Sequence, residues 1–315
     1  MPLFRTILFA ADFSERSKEA FQVACSLAHE QKTRLLVLHV IEKRPDSEPP
    51  LAYGELGVPI SLGAGILPDH EALKQGLCEF YAPRHPIDVA YYVRDGLPAE
   101  ALLCMAHEIG CDLIVTATHG RTGLRRLLAG SVAEAVLRKA RCPVLALHTL
   151  EPAGEAPGIR VVLHPNDFSE NSEPALNVAR LLARDHGARL VVLHVAPPEV
   201  LINGSTMVPT DPRVYRDALE EIRGRLEGPD LKFPVETRAV QGDSAAEILR
   251  AAKEAECGLI VMGSHGRTGL GRLLMGSVAE AVLRKATCPV LIVKKPDSKT
   301  PSVSSTRGAE AVTVF

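Results

Sequence analysis

The chain reads as a tandem α/β protein, two doubly wound domains each built on a five-stranded parallel sheet of order 3-2-1-4-5. Three observations carry this. Apolar runs alternate with helical patterns along each half, which is the signature of βαβ units. Runs such as "RLVVLHV" (Arg189 to Val195) are continuously apolar, as strands covered on both faces must be. Finally, the chain repeats itself. Arg5 to Val40 aligns without gaps on Arg160 to Val195, and "GSVAEAVLRKA" stands both at Gly130–Ala140 and at Gly276–Ala286. A period of roughly 150 residues means whole domains rather than solenoid repeats.

In the second half, Val161–Leu163 opens the series as a short strand. "EPALNVARLLARDHG" then places Ala175, Val178, Ala179, Leu182 and Ala183 on one helical face and stops at Gly187. The strand "RLVVLHV" follows, then a helix in "DPRVYRDALEEIRGRLE", a strand in "PVETRAV" and a helix in "SAAEILRAAKEAE". The strand "CGLIVMG", a long loop, the helix "SVAEAVLRKA" and the strand "CPVLIVK" complete five strands and four helices. Between His39 and His119 the first half is nine residues longer than the second is between His194 and His265. The excess falls in a Pro/Gly-rich insert at about 42–70, read as an exposed loop. Domain 1 spans 1–150 and domain 2 spans 158–295, joined by the linker "EPAGEAPG"; the polar tail 296–315 is expected to be disordered.

At 315 residues and 46% hydrophobic content the chain can build a core in each half. A net charge of −2 supplies no reason to expect nucleic-acid or membrane-surface partners, and no apolar run approaches the ~18 residues of a membrane span. The N-terminus lacks the marks of a signal peptide, so a cytoplasmic location is expected. Seven cysteines without a C-x-x-C pair read as reduced, mostly buried thiols. The eleven histidines show no spacing with acids that would mark a metal site.

The chemistry concentrates in "GSHGRTGLGRLLMGS", Gly263 to Ser277, whose first copy is "ATHGRTGLRRLLAGS", Ala117 to Ser131. About a dozen residues separate strand from helix, more than a bare connection needs. Gly263 and Gly266 would let backbone amides approach an anion, and Gly276 with Ser277 starts a helix whose free amides and dipole favour phosphate. Asp167, ending the first strand, is suited to a ribose diol. Bland readings compete. Ser277-x-x-Glu280 and Ser131-x-x-Glu134 fit capping boxes, and Asp167 and Asp12, each three residues before a glutamate, fit N-caps. Arg267 and Arg272 would screen phosphate or simply face solvent, and His265 would pack or catalyse.

The arrangement resembles the universal stress protein family, in tandem two-domain form. The resemblance rests on the opening strand closing on Asp-x-Ser, the "VLHV" strand, G-x-x-G followed nine residues on by G-S, and "CPVLIV". It implies an adenine-nucleotide-binding fold of the adenine nucleotide alpha hydrolase type, with ATP (or AMP or ADP, with or without Mg²⁺) across the first and fourth strand ends. It also implies dimerisation through the last strands, which a tandem chain would internalise as a pseudo-dimer; a further homodimer is left open. Carried over by position, Pro165, Asn166 and Asp167 meet adenosine and Val195 flanks adenine. Met262, Gly263, Gly266 and Arg267 form the loop, and Gly276, Ser277 and Val278 meet phosphate. Domain 1 keeps Asp12, Val40, Gly120, Gly130, Ser131 and Val132 but has Ala117 for the first glycine and no proline in "AADFS". Domain 2 is therefore expected to be the better site.

The resulting expectation is a nucleotide-gated stress-response regulator with an unidentified protein partner and no dedicated turnover, since neither a P-loop nor a G-x-G-x-x-G fingerprint occurs. Two alternatives stand beside it. One is a slow ATPase or nucleotidyl transferase in the same crevice; the other is a nucleotide-free scaffold or a carrier of lipid or zinc.

Overall fold

The computed structural model describes residues 2–42, 51–53, 59–61, 69–118, 131–147, 159–197, 200–202, 205–207, 215–226, 233–266 and 275–294. The linker, the tail and most of the insert lie outside them. The first half runs β1 (Thr6–Ala11), α1 (Glu15–Gln31), β2 (Arg34–Glu42), a hairpin of β3 (Leu51–Tyr53) and β4 (Pro59–Ser61), then α2 (His70–Phe80), β5 (Val89–Gly96), α3 (Pro98–Glu108), β6 (Leu113–Ala117), α4 (Ser131–Lys139) and β7 (Val144–Leu147). The second runs β8 (Val161–Pro165), α5 (Ser172–His186), β9 (Arg189–Ala196), a hairpin of β10 (Val200–Ile202) and β11 (Ser205–Met207), then α6 (Arg216–Leu226), β12 (Val235–Gln241), α7 (Ser244–Glu254), β13 (Leu259–Gly263), α8 (Ser277–Lys285) and β14 (Val290–Val293). The insert, read as loop, thus carries a short antiparallel hairpin, Leu51 opposite Ser61 and Tyr53 opposite Pro59.

Ten strands form one sheet in the order β12-β9-β8-β13-β14-β7-β6-β1-β2-β5. Each half has the expected order 3-2-1-4-5, and the halves join where β14 and β7 pair antiparallel, Leu291 opposite Leu145. All other pairings in this sheet are parallel. The last strands therefore do what the dimer resemblance implied, inside one polypeptide. Side chains of successive strand residues point to opposite faces, so Ile7 and Phe9 enter one core with α1, α2, α5 and α6, while Leu8 enters the other with α3, α4, α7 and α8. Each core contains residues of both halves, so the seam is buried on both faces. Lys294 adds a cross-domain tie, its Nζ donating to the Arg138 carbonyl at the end of α4 (2.8 Å). Burial pulls the Lys294 ammonium down to about 8.

Equivalent helix ends solve one problem with different residues. The chain leaves α1 through Lys32 at φ 50° and leaves α5 through Gly187 at φ 61°. After α3 and α7 the pattern is exchanged, with Gly110 at φ 59° and Glu256 at φ 49°. A side chain in this left-handed region clashes with its own backbone, at a cost of about 1 kcal/mol. Lys32→Gly should therefore stabilise the protein by about 0.5 kcal/mol, less than the full strain because glycine also loosens the unfolded chain. A raised urea midpoint at unchanged m value is the expected readout, and an unchanged or lowered midpoint would count against the argument.

Burial of the cysteines is less general than expected. Cys25, Cys111 and Cys257 are buried and Cys142 and Cys288 partly so, but Cys78 and Cys104 are exposed. Burial pushes the Cys25 thiol up to about 12, which leaves it unreactive.

Candidate nucleotide site at the strand carboxyl ends

Reversal of strand order around β8 and β13 opens a crevice at their carboxyl ends, where sheets of this kind hold ligands. At the end of β8 the chain turns sharply. Phe168 takes φ 59°, a strained value for an aromatic residue, and Phe13 in domain 1 repeats it at φ 60°. The turn is held by packing, because Phe168 lies against His194 (ring centroids 4.6 Å) and Tyr215 (6.0 Å). Its outcome is the placement of Asp167, half-buried, with Oδ1 accepting from Ser169 N (3.1 Å) and Ser169 Oγ (2.6 Å).

The loop after β13 comes directly against this carboxylate. A Cβ on Gly266 would sit 2.7 Å from Asp167 Oδ2. The loop is pinched at its base by Gly276 N donating to Ser264 O (2.9 Å), while Ser264 N donates to Val293 O of β14 (3.0 Å). A Cβ on Gly276 would lie 3.5 Å from His265 Cα and 3.9 Å from Gly266 N. Asp167, Gly266 and the head of α8 thus form one contiguous surface.

Glycine 263 has a different reason. A Cβ there would meet the Asn171 carbonyl at 2.9 Å, so the residue answers to the head of α5. In domain 1, α1 begins two residues earlier relative to its repeat, at Glu15, and the equivalent position is Ala117.

Two capping readings are corrected. The N-cap of α8 is Gly276, with no side-chain hydrogen bond; Ser277 is the first helical residue and exposed. Glu280, the box's other half, pairs instead with Arg284 (3.1 Å), and Glu134 pairs with Arg138 (2.7 Å). One residue's shift in frame breaks the box, since the cap oxygen no longer reaches the third amide. The aspartates are not N-caps either. Ser14 caps α1, accepting from Ser17 N (3.1 Å), and Asp12 supports it by accepting from Ser14 N (2.9 Å). Asn171 caps α5 without a side-chain bond.

The other expected site residues divide. Pro165 ends β8 partly buried. Val195 and Val278 are partly buried against the same core, as Val40 and Val132 are in domain 1. Met262 is 6% exposed, so its backbone rather than its side chain reaches the crevice. Asn166 is turned inward: its Oδ1 accepts from Phe168 N (2.7 Å) and its Nδ2 faces His164 Nε2 (3.4 Å). It shapes the turn, and its expected side-chain contact with adenosine is replaced by that role. Ser131 opens α4 exposed, as Ser277 does α8. Arg267, Gly120 and Gly130 lie outside the described residues.

Several residues escaped the sequence reading. His194 Nδ1 donates to Asn166 O (2.7 Å), and His39 Nδ1 donates to Ala11 O (2.8 Å), so the histidine of each "LHV" ties the second strand to the first-strand turn. Its recurrence in both repeats was the available signal. His164 is fully buried, with Nδ1 donating to Val261 O (2.9 Å) and Nε2 accepting from Ser172 Oγ (3.3 Å). Desolvation pushes it down to about 4. In domain 1 the buried Tyr81 hydroxyl takes the amides of Asp12 (3.2 Å) and Phe13 (2.9 Å), a fill that no pattern around β1 announces. His265, weighed in the sequence as a packing or catalytic residue, has Nδ1 against Ser264 Oγ (3.0 Å) and Nε2 buried without a partner, and burial followed by the Lys294 charge lowers its pKa. Among the described residues no cluster of three or more His, Cys, Asp or Glu could hold a metal ion, and no helix is long and apolar enough to cross a membrane.

A doubled, doubly wound sheet with a glycine loop set against an aspartate at the switch point defines the class: an α/β protein made of two fused repeats. The Universal stress protein family model matches residues 3–148 and 158–294, and the chain belongs to that family. It is 29% identical over 284 residues to the universal stress protein Rv2005c of Mycobacterium tuberculosis, covering 89% of this chain and 94% of the relative. It is 36% identical over 142 residues to YxiE of Bacillus subtilis, covering 41% of this chain and 94% of that one. A universal stress protein structure from Archaeoglobus fulgidus superposes with a TM-score of 0.66 over 92% of this chain and 98% of its own, at 21% identity.

Proposed function

We propose that the chain is a stress-response regulator that binds ATP or another adenine nucleotide in the domain 2 crevice, gated by that nucleotide and without dedicated turnover. The observation that carries this is the head of α8. Its N-cap is a glycine that contributes no side-chain oxygen, and it stands beside Gly266 and Asp167. The first amides of a helix have no intrahelical partner and, with the dipole, favour phosphate. In this reading Ser277 and Val278 amides and the Ser277 hydroxyl hold phosphate, Asp167 accepts from a ribose, and Val195 flanks the base. Asp167 is an acceptor held in place by Ser169. Mg²⁺, if carried, would arrive on the nucleotide phosphates.

Gating is supported by the loop's footing. Its base bonds to β14, and β14 pairs across the seam with β7, so a shift of the loop reaches the other domain. Domain 2 is favoured because it keeps Pro165 and Gly263, where domain 1 has Ala10 and Ala117. Calorimetric titration of the full chain with ATP should give one tight site per chain and a second at least about tenfold weaker. Two equal sites would remove the asymmetry, and no heat with ATP, ADP or AMP would remove the reading.

A further inference from the structure

Two pairs of cysteines stand at equivalent places in the repeats. Cys111 and Cys142 lead into β6 and β7, and Cys257 and Cys288 lead into β13 and β14. Within each pair the two thiols are hydrogen-bonded to each other. The first member is buried in the same way in both, with Cys111 Sγ 3.0 Å from Leu113 O and Cys257 Sγ 3.1 Å from Leu259 O. Cys142 and Cys288 are only partly buried. All four pack in the core that holds α3, α4, α7 and α8.

Strand register fixes how closely the backbones approach. β6 and β7 pair in parallel with Ile114 opposite Val144, and two residues earlier that register sets Asp112 opposite Cys142. Cys111 is therefore staggered from Cys142 by one residue. Adjacent strands lie ~4.8 Å apart and rise ~3.3 Å per residue, so such a stagger separates two Cα atoms by about 6 Å, within the reach of a disulfide.

What distinguishes the first pair is its other neighbour. β14 runs antiparallel to β7 with Ile292 opposite Val144, and the same register carried onward sets Lys294 opposite Cys142. Lys294 is fixed by its bond to Arg138 O (2.8 Å), and its charge acts on Cys142. The hydrogen bond with Cys111 outweighs burial and, together with Lys294, holds the Cys142 thiol below its ordinary value. Asp112 opposes this, but its carboxylate is engaged by the amides of Arg5 (2.8 Å) and Thr6 (3.1 Å). The repeat equivalent of Lys294 is His148. A reachable thiol beside a cation, with a second thiol in contact, is the setting in which cysteines oxidise selectively.

We infer that Cys142 and Cys111 form a dithiol oxidised by peroxide, Cys142 being the attacking sulfur and Cys111 the resolving one. The Cys142 thiolate attacks one peroxide oxygen and the O–O bond breaks. Hydroxide leaves, taking up the proton that Cys142 gave up, and the sulfur becomes a sulfenic acid. The Cys111 sulfur then attacks the sulfenic sulfur. The S–S bond forms, the S–O bond breaks, and the departing hydroxide leaves as water with the Cys111 proton. Two thiols and one peroxide give one disulfide and two waters, the sulfurs being oxidised and the peroxide reduced. A dithiol reductant restores both thiols by exchange. The disulfide would staple β6 to β7, the strand at the seam, and it uses none of the residues assigned to the nucleotide.

The test is exposure of the reduced full-length protein, without nucleotide, to hydrogen peroxide, followed by acid quench, alkylation and peptide mass spectrometry. Peptides containing Cys111 and Cys142 should appear joined before the exposed Cys78 and Cys104 are oxidised, with fragmentation placing the bond at Cys111. Dithiothreitol should reverse the linkage, and the Cys257–Cys288 pair should link more slowly. In Cys111→Ser, Cys142 should stop at a sulfenic acid that dimedone captures. Lys294→Met should slow the linkage at least about threefold, since the thiolate gained from a cation is partly offset by weaker nucleophilicity. No joined peptide in the wild-type protein, prior oxidation of Cys78 or Cys104, or linkage of Cys257 to Cys288 at the same rate would overturn the inference. So would the absence of sulfenic acid in Cys111→Ser or an unchanged rate in Lys294→Met. The wild-type measurements need no variant, so they decide if one fails to fold.

Discussion

Replacing Gly266 by valine should cost ATP affinity in domain 2 by roughly 10- to 100-fold while the fold persists. The new Cβ would lie 2.7 Å from Asp167 Oδ2, well inside contact distance. The carboxylate cannot swing away cheaply, because its other oxygen is held by the amide and hydroxyl of Ser169. Overpacking of this kind costs about 1–3 kcal/mol, and here it falls on the group expected to meet the ribose. Gly276→Ala is the informative partner. The nearest atom to its Cβ would be Ser264 O at 3.4 Å, an ordinary contact, so the protein itself tolerates the methyl group. Loss of ATP affinity in Gly276→Ala with an unchanged melting temperature would report a ligand at the head of α8. Calorimetry on both variants checks this, and unchanged ATP binding in both would exclude the crevice as the nucleotide site.

Acidification between about pH 6.5 and 4 should remove about 3 kcal/mol of stability through His164 alone. Burial depresses this histidine from 6.5 to about 4 in the folded state, so in that window the unfolded chain binds the extra proton. The sign follows directly: the contribution is complete above the unfolded value and is lost as pH falls towards the folded one. His164→Phe places at this position the residue that domain 1 has there, Phe9, itself fully buried. Urea denaturation at pH 7 and pH 4.5 should show a much shallower pH dependence in the variant. An equal pH slope in both proteins would assign acid sensitivity elsewhere.

Much of the fold was legible because its signals are local or internal to the chain. Apolar periodicity placed β8, α5, β9, α7, β13, α8 and β14 in order, and self-alignment of the repeats implied two equivalent sheets. The site was legible only in outline. Gly266 and Asp167 were named without any means of knowing that they touch, since 99 positions separate them. The capping boxes failed because a pattern of serine and glutamate is blind to a one-residue shift of the helix start, which packing decides. His164 and His194 were missed because a histidine in an apolar strand looks the same whether it is paired or not.

The amino-acid sequence by itself determined the duplication, the alternation of strands and helices within each repeat and the glycine loop after the fourth strand, because hydrophobic burial and turn chemistry act over short stretches. Only the tertiary structure decided that β14 pairs with β7 across one continuous sheet, that Tyr81 fills the turn amides of domain 1, and that Cys142 meets Cys111 on one side and Lys294 on the other. Those outcomes depend on side chains brought together from distant parts of the chain, where steric fit and the pairing of buried polar atoms select the neighbour.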